Sequence, residues 1–283
     1  LLFDDANTVE DVIDDFEIEV EVEQAWPVYI IHTLATPNDD YYSNQWALEI
    51  INAEDAWDYV SGDDDVLLAI IDSGVDLEDD TGGGYGGIHR DLYDNLFDEL
   101  YVTGIASSAN DDLGHGTHVA GIAGAVTNND DGIAGIAGGG LNPGDDGVSL
   151  LIIKAISDSG NTEEEYIANG LCFALDPNQN FNYDDAVDIV NMSLGRPMSS
   201  TPLMIEDVIE LLLSEDVLIV SSAGNDSTEY PYAGFNYYPA AIPGVIGVSA
   251  TNENDVLSSY SNWGDHVDIS APGGTGGGAP NSN

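Results

Sequence analysis

The chain has 283 residues and carries 53 Asp and Glu against 3 Lys and Arg, a formal net charge of −50. Arg90, Lys154 and Arg196 cannot build the basic stripe that displaces counterions from phosphate, nor hold an anionic membrane surface, so nucleic acid and membrane surfaces are excluded as partners. No apolar run reaches the roughly 18 to 20 residues that span a bilayer, while a hydrophobic content of 43% is enough for a packed core. So many carboxylates repel one another in dilute buffer, and molar salt, with a Debye length of about 3 Å, removes most of that repulsion. The composition therefore points to a protein that works in concentrated salt; bound divalent cations neutralising part of the charge are the plainer alternative. A single cysteine, Cys172, forbids an internal disulfide.

In chain order, Phe16 to Val22 alternates apolar and acidic residues, the period-2 pattern of a half-buried strand. Turn residues at Thr36 to Asp40 mark a boundary between a leading segment, 1–36, and a main domain, 37–283. Asn52 reads as the N-cap of a helix over Ala53 to Val60. Continuous apolar runs then follow at Val66 to Ile71, Leu150 to Ile153, Val187 to Met192, Val217 to Val220 and Val245 to Val248, as expected for parallel strands buried on both faces. Helical patterns separate them. One opens with a capping box, Thr162 with Glu165, and another with Pro202 at its first position. Alternating strands and helices give an α/β fold with a mostly parallel central sheet, whose functional groups gather at the carboxyl ends of the strands.

Four places could carry chemistry. Asp72 ends the first buried strand, although taken alone it reads rather as a cap of the following turn. His115 stands between glycines in Gly114-His115-Gly116-Thr117-His118 at a helix start, where the positive dipole end should keep the ring neutral, as a base requires; a solvated capping role is the bland alternative. His118 reads as a packing residue, and no neighbouring Glu supports a zinc site. Asn225, after Ser222-Ala223-Gly224 at another strand end, can aim an amide at a developing oxyanion. Ser193-Leu194-Gly195, after the strand Val187 to Met192, offers exposed backbone to an extended peptide.

These blocks, together with Tyr260-Ser261-Asn262-Trp263-Gly264 and Ala271-Pro272-Gly273, stand in the order found in subtilases, and the chain resembles that family of subtilisin-like serine proteases over nearly its whole length. The resemblance implies a three-layer subtilisin-like fold, incomplete at its carboxyl end. It makes Asp72 the group that orients the imidazole, His115 the general base and Asn225 the oxyanion donor. Ser193, Leu194 and Gly195 would form one wall of the primary specificity pocket and Ser222, Ala223 and Gly224 the other, favouring apolar or aromatic side chains. The segment Asp158 to Gly160 would pair with substrate backbone.

The resemblance further implies a secreted endopeptidase acting on polypeptides, with residues 1–36 as the tail of a propeptide that inhibits its own enzyme. Structural Ca²⁺ is expected near Asp91, Asn129 and Asp130, with solvated loop acids as the alternative; catalysis needs no cofactor. The family's Gly-Thr-Ser-Met-Ala-x-Pro nucleophile block does not occur in these 283 residues. A stretch at Gly274 to Pro280 would put Gly276 in the serine's place, but no strand separates it from Ala271-Pro272-Gly273 and no apolar helix follows. The expectation is a truncated, inactive chain; a non-catalytic subtilase-like peptide-binding module is the alternative.

Overall fold

The computed structural model describes residues 36–78, 87–141 and 146–276. The strand expected at Phe16 to Val22, and all but the last residue of segment 1–36, lie outside these. Seven strands form one parallel sheet in the order β11-β9-β6-β4-β1-β3-β2. They are β1 (Leu67–Asp72), β2 (Leu96–Tyr101), β3 (Ser149–Lys154), β4 (Ile189–Met192), β6 (Leu218–Ser222), β9 (Val245–Thr251) and β11 (Ile269–Pro272). A short antiparallel pair, β5 (Arg196–Met198) with β8 (Asn236–Tyr238), and a parallel pair, β7 (Glu229–Tyr230) with β10 (Trp263–Gly264), lie outside it.

Burial on both faces explains the apolar runs. Ala69 and Ile71 of β1 share a core with Leu151, Ile153, Val190 and Ile219, beneath the helices α4 (Glu164–Leu175) and α5 (Leu203–Ser214). Ile70, between them in sequence, faces the other way and packs with Leu150, Ile152 and Ala120 of α3 (His115–Gly124). The result is three layers, helix, sheet and helix. Two short helices, α1 (Trp46–Ile50) and α2 (Ala53–Trp57), contribute Leu48, Ala53 and Trp57 to a third, smaller cluster. Chain order reverses direction about β1, whose neighbours are β3 on one side and β4 on the other. That switch opens a crevice at the carboxyl end of β1, where Asp72 stands.

The five expected strands are present, four of them within two residues of their predicted ends, and β9 runs three residues past its own, to Thr251. Three predicted helix caps differ. Asn52 is left-handed (φ 54°) and makes no side-chain cap, and the helix after it ends at Trp57. Thr162 turns its hydroxyl to the carbonyl of Ala155 (2.6 Å) instead of capping, and the N-cap position passes to Glu163, one residue later. Pro202 is the residue before α5, not its first. Strand β2 escaped the sequence reading because Asp98 and Glu99 break any apolar run; pairing with β3 makes it a strand.

Candidate active site

Asp72 is fully buried at the end of β1. Its Oδ1 accepts the backbone N–H of Ser73 (2.7 Å) and the Nδ1–H of His115 (2.7 Å), which fixes the ring's tautomer because a carboxylate only accepts. The free Nε2 edge is thereby the one available to act as a base. His115 stands at the first position of α3. The residue before it, Gly114, has φ +83° and no side chain to cap the helix. Asp111 supplies the cap instead: Oδ1 accepts from Gly114 N (2.9 Å) and Leu113 N (3.1 Å), and Oδ2 from the backbone and hydroxyl of Thr117 (both 2.8 Å). The helix is also pressed against the strand end. Gly116 N donates to Ser73 Oγ (2.8 Å), and a Cβ on Gly116 would come within 2.3 Å of the Gly74 carbonyl oxygen.

This wiring decides the electrostatics. The Asp72 hydrogen bond raises the His115 pKa above its ordinary value; burial opposes this, and the charges of Asp72 and Asp111 reinforce it. The helix dipole that disfavours a charged ring is thus opposed by a carboxylate at bonding distance. For Asp111, burial would raise the pKa, but the hydrogen bonds from Thr117, Ser73 and Gly114 outweigh it and hold the carboxyl below the usual range.

His115 lines a cavity of about 500 Å³ whose other walls include Leu194, Gly195 and Gly160, with Ile156, Ile167 and Ile205 as apolar lining. Ser222, Gly224 and Asn225 line a second, of about 310 Å³, and Ser193 lines both. Ala223 lines neither; it is 1% exposed, and its carbonyl accepts from Asn262 Nδ2 and His266 Nε2. The hydroxyls of Ser221 and Ser222 reach the Leu194 carbonyl at 3.5 and 3.4 Å and join the two segments. Asp158 to Gly160 is a turn closed by Gly160 N to Ser157 O (2.8 Å), not a strand. His118 is exposed and faces a different cavity, of about 460 Å³, so the packing role expected of it is corrected.

Of the expected cation ligands, Asn129 donates to Asp91 Oδ1 (2.9 Å), whereas Asp130 accepts from Asn38 (2.9 Å). Asp39, unremarked in the sequence, joins them: Asp39 and Asp91 are 5% and 3% exposed. Burial pushes both carboxyls up, and each lies near a second acid, Asp130 for Asp39 and Asp131 for Asp91. Two desolvated carboxylates suit a hard cation in donor type, although the Asn129 amide oxygen accepts from Asp131 N (2.9 Å) and no group of three His, Cys, Asp or Glu converges on one point among the described residues. Sequence reasoning also missed Lys154, whose ammonium is buried under Ser73, and Asp111. An Asp four residues before a glycine-flanked His was the available signal for the latter.

Residues 63–283 match the family model described as the subtilase family. The halolysin-like extracellular serine protease Nep of Natrialba magadii is 33% identical over 95% of this chain, which spans 46% of Nep's length. Thermitase of Thermoactinomyces vulgaris is 32% identical over 84% of this chain and 74% of its own. A protease structure from Pseudoalteromonas arctica superposes with a TM-score of 0.70 at 27% identity, over 86% of this chain and 74% of that one. A buried Asp bonded to a helix-starting His at the switch point of a parallel sheet, and these matches over most of the chain, lead to one assignment: the chain belongs to the subtilase family.

Proposed function

We propose that this chain is the Asp- and His-bearing part of a secreted, salt-adapted serine endopeptidase. The observation that carries the reading is the 2.7 Å bond between buried Asp72 and His115 at the mouth of an apolar cavity. In this reading Asp72 orients the ring, and His115 Nε2 takes the proton of a serine hydroxyl as its oxygen attacks the peptide carbonyl. Asn225 donates to the oxygen that becomes negative, and His115 returns the proton to the leaving amine. The cavity walls accept an apolar side chain of a polypeptide substrate.

The nucleophile is proposed to lie in sequence following Asn283, and chain 1–283 alone to be inactive. On the face that α3 covers only over β1 and β3, Leu218 is exposed and Ile189, Val220, Ile246 and Val248 are half-buried, which supports a further segment packing there. Secretion is supported by relatives named as extracellular proteases. Salt adaptation rests on the charge of −50 and on the halolysin relatives. Residues 1–36 are proposed as propeptide and inhibitor, and Asp39, Asp91 and Asn129 as holders of a structural Ca²⁺, with Asp130 beside them.

The test is to read the encoding DNA past the codon for Asn283, then to assay both polypeptides on casein in molar salt. A Gly-Thr-Ser-x-Ala-x-Pro block and turnover by the longer chain alone, abolished by His115→Ala, is the expected result. A stop codon at that point would reduce the chain to a peptide-binding module.

A further inference from the structure

We propose that Asn262 is the positioning residue for the loop that presents Asn225; its catalytic consequence rests on the oxyanion-donor reading given above. Asn262 is fully buried and enters from a segment 36 residues away, at the edge of the short pair β7–β10. Its backbone N–H donates to the Gly224 carbonyl (2.8 Å) and its Nδ2 to the Ala223 carbonyl (2.9 Å). Its Oδ1 accepts from Asp226 N (2.8 Å) and Thr228 N (3.2 Å). The loop is thus held on both sides of Asn225, while the Asn225 side chain is exposed and has no hydrogen bond of its own among the described residues.

Only a carboxamide does this. It supplies a donor and an acceptor together, matching the carbonyl on one flank and the amides on the other. Gly224, at φ +97°, leaves the room it needs: a Cβ there would lie 2.4 Å from Asn262 Nδ2 and 2.3 Å from Tyr237 Cζ. The support extends to the facing wall. His266 Nε2 donates to Ala223 O (3.0 Å) and its ring meets Tyr230 edge-on and lies against Tyr237, whose hydroxyl donates to Gly195 O (3.0 Å). An oxyanion donor is effective only when aimed before the reaction begins, and a misplacement of about 1 Å costs on the order of a hundredfold in rate.

Hydrogen exchange on chain 1–283 in molar salt tests the clamp directly. Asn262→Ala should speed exchange at the Asp226 and Thr228 amides by about tenfold or more, with β1 and β3 amides unchanged. Unchanged exchange at both amides would overturn the proposal. Should that variant fail to fold, Asn262→Asp keeps the acceptor and should leave Asp226 and Thr228 protected; loss of their protection would overturn it equally.

In the longer, nucleophile-bearing protein, Asn262→Ala should lower kcat about ten- to a hundredfold with KM within about twofold. The loss should vanish when Asn225→Ala is already present. A full loss on top of Asn225→Ala means a general structural role and sinks the assignment. No turnover by the unmutated long protein would instead count against the protease reading, and the exchange result would still decide whether Asn262 holds the loop.

Discussion

Lys154 is one of three cations in a chain with 53 acids, yet it is 1% exposed. Its ammonium spends its three protons on Ser73 O (2.7 Å), Asn110 O (2.6 Å) and Asp158 Oδ1 (2.7 Å). Ser73 follows Asp72, and Asn110 precedes Asp111, so the lysine ties together the two segments that hold the Asp–His pair. Replacing it by Met keeps the length and leaves two buried carbonyls without donors, at about 1–3 kcal/mol each. Relief of the ammonium's own desolvation offsets part of this. Asp158, with a side chain 59% exposed, simply returns to water. The net loss for Lys154→Met is about 2–4 kcal/mol, whereas Asp158→Asn, which cuts only the wet end of the tie, costs below about 1 kcal/mol. Urea unfolding in molar potassium chloride, followed by tryptophan fluorescence at constant m-value, measures both. A Lys154→Met loss within about 0.5 kcal/mol of zero, or equal losses in the two variants, would refute the argument.

Gly116→Ala drives a methyl into the backbone of Ser73 and Gly74 and is expected to cost about 1–3 kcal/mol in the same assay; a neutral substitution would mean α3 is not pinned there. His115 has a raised folded pKa, so its stabilisation is complete below the unfolded value of about 6.5 and is lost as pH rises through the folded one. Asp72→Asn should lower the His115 pKa in an NMR titration and flatten that part of the stability profile, and an unmoved titration would contradict the assigned cause. Ca²⁺ added in molar sodium chloride should raise the Tm, by about 2.7 kcal/mol of stability at a hundred times its Kd, and Asp91→Asn should remove most of the gain. An equal gain in that variant would place the ion elsewhere.

The central strands were legible because a sheet buried on both faces demands unbroken apolar runs, and Val66 to Ile71 and Leu150 to Ile153 meet that demand without help from partners. Asp72 and His115 were legible for a related reason: a polar residue closing an apolar strand and a His between glycines are local anomalies. Helix starts were less so. Thr162 and Glu165 have the spacing of a capping box, but the Ala155 carbonyl competes for the hydroxyl, and nothing in the local sequence announces that competitor.

What the sequence determined by itself was a net charge of −50, the class of fold, through alternating periods, and which two side chains, Asp72 and His115, stand out as local anomalies. Tertiary structure decided how those groups behave. Asp111 caps α3 in place of Gly114, Lys154 joins segments 81 and 44 residues away, and Asn262 grips a loop 36 residues before it. Each is a polar side chain whose partners are mostly backbone groups, and backbone groups are identical in every residue. Sequence can mark which side chain is able to donate or accept, but only the packed chain brings a particular carbonyl or amide within 3 Å of it.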